Sequence, residues 1–137
     1  MSDCIFCKIV NKEIPADIVF ENDMVMAFLD NNPISLGHVL IVPKKHFTNI
    51  YDIEEEYLKE SMIIVKKISL IYKKVFGING VQIVSNAGDR GEQKVRHFHF
   101  HLIPREENDN LDWPKGERTE LKSQFNDFIT KLKDNWN

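Results

Sequence analysis

From residue 95 to 103 the chain alternates imidazoles with apolar groups: His97, His99 and His101 interleave with Phe98, Phe100 and Leu102. Successive side chains of an extended segment point to opposite faces. The pattern therefore predicts a strand with three imidazoles on one side and three apolar groups on the other. Imidazoles two residues apart then stand in a row, with neighbours roughly 6–7 Å from each other. Three readings are open. The row suits phosphoryl chemistry, because an imidazole with a pKa near ~6.5 supplies both a neutral nucleophile and a charged donor at neutral pH. It also suits a metal, and it could be structural. Interleaving with core residues is what separates it from a run of exposed histidines.

The rest of the chain reads as a scaffold for that strand. Asp3 is placed to cap a short helix over 4–11. Residues 18–21 and 24–29 are β-rich around a turn-favouring Glu-Asn-Asp and predict a hairpin. Gly37 precedes a strand over 38–42 that Pro43 ends. Asp52 followed by Glu55 looks like a capping box. Leu58, Met62, Val65, Ile68, Ile71 or Tyr72, and Val75 then recur at helical spacing in a helix over 54–76, closed by Gly77. Residues 81–85 read as a strand and 86–93 as a loop. A terminal helix over 119–136 carries Leu121, Phe125, Phe128, Leu132 and Trp136 at helical spacing. Helices and strands that group in this way predict an α+β fold with an antiparallel sheet.

Composition excludes several partners. The 137 residues suit one core, and a net charge of −3 without basic blocks gives no footprint for duplex nucleic acid or an anionic membrane. Any nucleotide handled is expected to be small. The opening residues lack a leader pattern, and the apolar runs are too short to span a bilayer, so a cytoplasmic location is expected. Cys4 and Cys7 are the only cysteines. A lone Cys-x-x-Cys leaves free thiols, a metal site and a redox pair open.

The segment Gln93-Lys94-Val95-Arg96-His97-Phe98-His99-Phe100-His101-Leu102-Ile103-Pro104-Arg105 resembles the motif of the histidine triad family of nucleotide hydrolases and transferases. The likeness extends over residues 3–105: Cys4-Ile5-Phe6-Cys7-Lys8-Ile9, Lys12-Glu13-Ile14-Pro15-Ala16, Ala27-Phe28-Leu29-Asp30, Gly37-His38-Val39-Leu40-Ile41-Val42-Pro43-Lys44-Lys45-His46 and Asn86-Ala87-Gly88 fall in family order. The resemblance implies a five-stranded antiparallel sheet with one long helix and a short amino-terminal helix. It also implies a homodimer that forms a ten-stranded sheet. Residues 1–110 would be the histidine triad domain, and 111–137 a carboxy-terminal helical extension packing on the domain or the dimer.

The resemblance further implies a hydrolase acting at the α-phosphorus of a purine nucleotide derivative: a nucleoside phosphoramidate, an adenylylated compound or a dinucleoside polyphosphate. His99 would be the nucleophile, forming a nucleotidyl-histidine, with His101 bonding the phosphoryl oxygens or the departing group and His97 holding the constellation. Asp30 would take the ribose hydroxyls. Phe6, Ile9, Phe28 and Asn31 would surround an adenosine or guanosine base, although these apolar residues also suit a core and Asp30 a turn. Asn86, Gln93 and Lys94 would lie on the phosphate side. Lys94 stands where relatives of the phosphoramidase type have a hydroxyl, and Glu92 beside it is a second departure. Trp113-Pro114-Lys115-Gly116 resembles a family tail but is followed by further chain. Cys4, Cys7, His46 and His97 would bind a structural zinc. His38 is an alternative ligand that fits better in the hydrogen-bonding network around the triad. A nucleotidyl transferase, a nucleotide-binding regulatory protein and a zinc-dependent scaffold are the competing readings.

Overall fold

The structure, a computed structural model, describes residues 3–110 and 117–136. The elements in chain order are α1 (Ile5–Val10), β1 (Ile18–Glu21), β2 (Val25–Leu29), β3 (Val39–Pro43), α2 (Glu55–Val75), β4 (Gly80–Val84), β5 (Phe100–Arg105), a 3-10 helix (Thr119–Gln124) and α3 (Phe125–Asp134). The strands form one antiparallel sheet in the order β1-β2-β3-β5-β4. This is the α+β architecture expected from the grouping of elements. Among the described residues no helix is long and apolar enough to cross a membrane.

Both faces of the sheet are covered, and strand alternation divides the side chains between them. Val25, Ala27, Leu29, Val39, Ile41, Phe100 and Leu102 pack with Ile64, Val65, Ile68 and Tyr72 of α2 and with Phe125, Phe128 and Leu132 of α3. Met26, Phe28, Leu40 and Val42 point the other way, against Phe6 and Ile9 of α1. The central strands β2 and β3 are buried at every residue. A strand covered on both sides reads as a continuous apolar run, and these two do.

The carboxy-terminal helix props the turn before β3. Gly37 has φ +95°, and a Cβ there would lie 2.7 Å from Cζ of Phe128, so both the backbone and the packing require glycine. The buried Tyr72 hydroxyl donates to the Gly37 carbonyl at 2.7 Å. Arg118 N donates to the Pro33 carbonyl at 2.6 Å, and Trp136 stacks on Phe20 with ring centroids 4.5 Å apart.

Several boundaries differ from the sequence reading, each for a local reason. The strand expected over 95–103 begins at Phe100, because Phe98 N donates to the Phe47 carbonyl instead of joining a ladder. It continues through Pro104 to Arg105. Pairing with β3 stops at Leu102, so Pro104 is flanked only by β4, where a missing donor is tolerated. Pro43 closes β3 as its last residue, opposite Val25 and past the last residue paired with β5, so the strand ends there as expected, one residue beyond 38–42. Asp52 caps no helix. Its carboxylate accepts from Thr48 N at 3.0 Å and Asn49 N at 2.9 Å, and α2 starts behind Glu54 without a side-chain cap. Cys4, not Asp3, caps α1, with Sγ accepting from Cys7 N. The first third of the terminal helix is 3-10. Trp113-Pro114-Lys115-Gly116 lies outside the described residues.

Candidate active site

The alternation of the histidine segment outlasts the strand. Phe98 joins the α2 side of the core with Phe100 and Leu102, and the three imidazoles leave on the opposite face. They do not form one row in one cleft. The bend before Phe98 turns His97 toward α1, away from the other two. His99 and His101 remain side by side, ring centroids 4.9 Å apart, on the wall of a cleft of about 480 Å³. That volume suits a small organic ligand.

The hydrogen bonds around these two rings give them complementary states. His99 Nδ1 lies 2.7 Å from the carbonyl of His97. A carbonyl only accepts, so Nδ1 carries the hydrogen and Nε2 is left with the lone pair. His101 is set by a relay. Ile34 N donates to Nδ1 of His38 at 3.1 Å, which leaves His38 Nε2 bearing a hydrogen. That nitrogen lies 3.0 Å from Nδ1 of His101, which must accept, so Nε2 of His101 carries a hydrogen. One ring therefore offers an electron pair and its neighbour an N–H. Burial lowers the pKa of His99 and pushes His38 down to about 3, with His99 beside it adding to the effect on His38. Burial, and then His99 and His38, push His101 far down as well. All three rings are neutral at pH 7.

Asp30 completes this wall. Oδ1 accepts from Asn32 N at 2.9 Å, and Oδ2 lies 3.4 Å from His38 Nε2. With His38 neutral the second contact is polar, not an ion pair. Asp30, His38 and His101 bring three potential ligand atoms together. The Ile34 amide nevertheless occupies His38 Nδ1 and obliges Nε2 to keep its hydrogen, so this trio works as a relay and not as a metal site. The Asp30 carboxyl is raised to about 6: burial is the main cause, the Asn32 amide opposes it, and Glu117 adds a smaller rise.

Most residues singled out in the sequence line this cleft: Phe6, Ile9, Phe28, Asp30, Asn31, Asn86, Lys94, His99 and His101. Phe6, Ile9 and Phe28 also belong to the smaller core cluster, so the core and pocket readings are both correct for them. Phe6 meets His99 edge to face at 5.1 Å. Gln93 does not line the cleft. It is buried, and its amide nitrogen donates to the carbonyls of Thr48 at 2.6 Å and Val95 at 2.9 Å, while its oxygen accepts from Gly88 N at 3.0 Å. Its task is to brace the loop that presents Asn86 and Lys94. Leu40, Val95 and Glu117 line the cleft without having been singled out. Leu40 was within reach of the alternation, since it pairs with His101 on the same face. Nothing in the local sequence marks Glu117.

His97 reaches a second cluster. Its Nδ1 lies 3.4 Å from Cys4 Sγ, 3.5 Å from Cys7 Sγ and 3.2 Å from His46 Nδ1, and Cys7 Sγ is 3.3 Å from His46 Nδ1. Tetrahedral zinc, with bonds of about 2.0–2.1 Å to nitrogen and 2.3 Å to sulfur, demands N–N edges of roughly 3.3 Å and S–N edges of roughly 3.5 Å. The donor set matches those edges. Nε2 of His97 bonds the Pro43 carbonyl at 2.8 Å, which reserves Nδ1 as the lone-pair nitrogen. Burial, and then the neighbouring Cys4, raise the Cys7 thiol. Two adjacent thiols resist ionising together unless a cation lies between them. The cluster is compatible with zinc.

An antiparallel sheet with histidines of one alternating segment directed into a nucleotide-sized cleft defines the class of the histidine triad proteins. Residues 11–108 match the HIT domain, and the chain belongs to the HIT family. It is 40% identical over 117 residues to the adenosine 5'-monophosphoramidase of Saccharomyces cerevisiae, covering 83% of this chain and 72% of that one. Among solved structures it superposes on a Hit-like protein from Bartonella henselae involved in cell-cycle regulation (TM-score 0.84, 34% identity, 98% of this chain and 97% of that one). It is also similar to a zinc-bound histidine triad family protein from Mycobacterium smegmatis (TM-score 0.80, 27% identity, 97% of each chain).

The Asp30 environment makes stability depend on pH. Its folded value of about 6 exceeds the ordinary 3.8, so the folded chain holds this proton more tightly than the unfolded chain. The cost is absent below about pH 4, grows between pH 4 and 6 and persists above, reaching roughly 2–3 kcal/mol. Asp30→Asn should therefore be more stable than wild type at pH 8 and equal to it near pH 4. Denaturant midpoints that stay parallel across this range would contradict the assignment.

Proposed function

We propose that the protein is a nucleotide hydrolase that opens the bond between the α-phosphorus and its leaving group, with a purine nucleoside phosphoramidate as the favoured substrate class. The observation that carries the reading is the pairing of a lone-pair nitrogen on His99 with a hydrogen-bearing nitrogen on His101 in one cleft. The likeness to an adenosine 5'-monophosphoramidase supports the leaving group.

In this reading His99 Nε2 attacks the α-phosphorus. The P–N bond to the leaving amine breaks, its electron pair goes to that nitrogen, and solvent water supplies the proton with which the amine departs. His101 donates a hydrogen bond to the phosphoryl oxygen or the departing group. Water then attacks the nucleotidyl-histidine, releasing the nucleoside monophosphate and restoring the ring. Asp30 accepts from the ribose hydroxyls, because an acceptor-only carboxylate matches two donors. Phe6, Ile9 and Phe28 enclose the base with Asn31 at its edge, and Asn86 and Lys94 flank the phosphates. Gln93 acts at one remove, through its loop. His97 contributes its carbonyl to His99, and its ring with Cys4, Cys7 and His46 would hold a structural zinc. When bound, that ion would cross-link α1 to the histidine segment. Two reduced thiols suit a cytoplasmic setting.

The outer face of α2 exposes Met62, Ile63 and Leu70, and the edge strand β4 exposes Ile83. An exposed apolar face beside an unpaired strand edge supports a homodimer through these elements, which would join two sheets into ten strands.

Turnover of adenosine 5'-phosphoramidate should fall at least about a thousandfold in His99→Ala while AMP binding persists. Mass spectrometry of the quenched wild type should place the nucleotidyl group on His99, and full turnover by the variant would refute the nucleophile. Elemental analysis should find about one zinc per chain. Cys4→Ser should lower both zinc content and melting temperature, and a stable, zinc-free wild type would exclude the site. Light scattering should give twice the 16.1 kDa chain mass, with Ile63→Asp shifting it to one chain. A monomeric wild type would rule out the dimer.

A further inference from the structure

Among the described residues that line the cleft, Glu117 comes from the carboxy-terminal extension, and the nucleotide reading gives it no task. Glu117 lines the cleft together with Asp30, Asn31 and Asn32. The chain that follows it is anchored to the fold at two points. Arg118 N donates to the Pro33 carbonyl at 2.6 Å, and four residues after Glu117 the buried Leu121 enters the main core. The Arg118 guanidinium is engaged by Glu120 at 3.1 Å, so it does not neutralise its neighbour. Among the described lining residues the acids are Asp30, Glu92 and Glu117, and the one cation is Lys94. Lys122 is close enough to lower the Asp30 pKa slightly but does not line the cleft. Glu117 is close enough to raise it.

Two carboxylates at one subsite restrict what enters. Each ionised carboxylate is acceptor-only. A ribose with free vicinal hydroxyls brings two donors and no charge. A ribose esterified with phosphate at the 2' or 3' position brings a dianion of about −1.5 to −2 at neutral pH. We infer that Glu117 is a specificity-determining residue, which admits nucleotides with a free 2',3'-diol and rejects nucleotides phosphorylated on the ribose. This rests on the reading of Asp30 as the ribose contact. Glu117 is exposed, so its effect is moderate and is screened by salt.

The test is calorimetric titration of the whole chain with AMP, adenosine 2',5'-bisphosphate and adenosine 3',5'-bisphosphate at low ionic strength. Wild type should prefer AMP to both bisphosphates. Glu117→Gln should narrow that ratio on the order of fivefold, and Glu117→Lys should narrow it further. Salt at 1 M should narrow the wild-type ratio and move the Glu117→Gln ratio little. A ratio that is the same in wild type and both variants overturns the assignment of Glu117 while leaving the nucleotide cleft intact. Failure of wild type to bind AMP overturns the ribose reading itself, and the inference with it.

Discussion

The period of two along the histidine segment is the constraint from which the site follows. Phe98, Phe100 and Leu102 are locked into the core beneath α2 and α3, each almost wholly buried. Their burial leaves the intervening side chains no choice of face. A register slip of one residue would bury the imidazoles among Ile64, Val65 and Ile68 without partners and expose two phenylalanines and a leucine. Both changes cost several kcal/mol. The hydrophobic half of the pattern thus aims the chemical half.

What distinguishes the three imidazoles is not the strand but the acceptors and donors that each one meets. His97 gives its Nε2 hydrogen to Pro43 and turns Nδ1 to the thiols. His99 gives its Nδ1 hydrogen to the carbonyl of His97. His101 accepts from His38, whose state is set by a backbone amide. Each tautomer is fixed by a group that cannot change role, either a carbonyl or an amide. His97 links the two clusters, because its ring belongs to one and its carbonyl to the other. Displacement of its backbone would disturb both.

The fold was largely legible because its signals are periodic. Alternation marked the histidine segment, β-rich runs between turn residues marked the hairpin, helical spacing marked α2, and glycine at 77 marked the close of that helix. Errors fell where one interaction outweighed a local rule. Asp52 had the spacing of a cap, but two amides in the preceding turn claimed its carboxylate. The strand read as ending at residue 103 continues through Pro104 to Arg105, because β3 no longer pairs with it there. In the site, chemistry-bearing residue types were legible while their division of labour was not. Gln93 sits in the right segment yet turns inward, since loop backbone groups satisfy its amide better than water at the cleft would. Glu117 is one acid in a charged stretch, and only the long return of the chain to Pro33 gives it a place.

The sheet order has a consequence for how the molecule is made. The last strand to leave the ribosome, β5, occupies the space between β3 and β4. Until it arrives, the β1-β2-β3 meander and the α2–β4 unit share no backbone ladder, and α2 lacks part of the apolar surface it covers. Closure must therefore join residues far apart in sequence, which is a slow step. A nascent chain ending before residue 100 has an open sheet and an incomplete core. It also lacks His101, so the paired imidazoles of the cleft and the completed sheet arrive together.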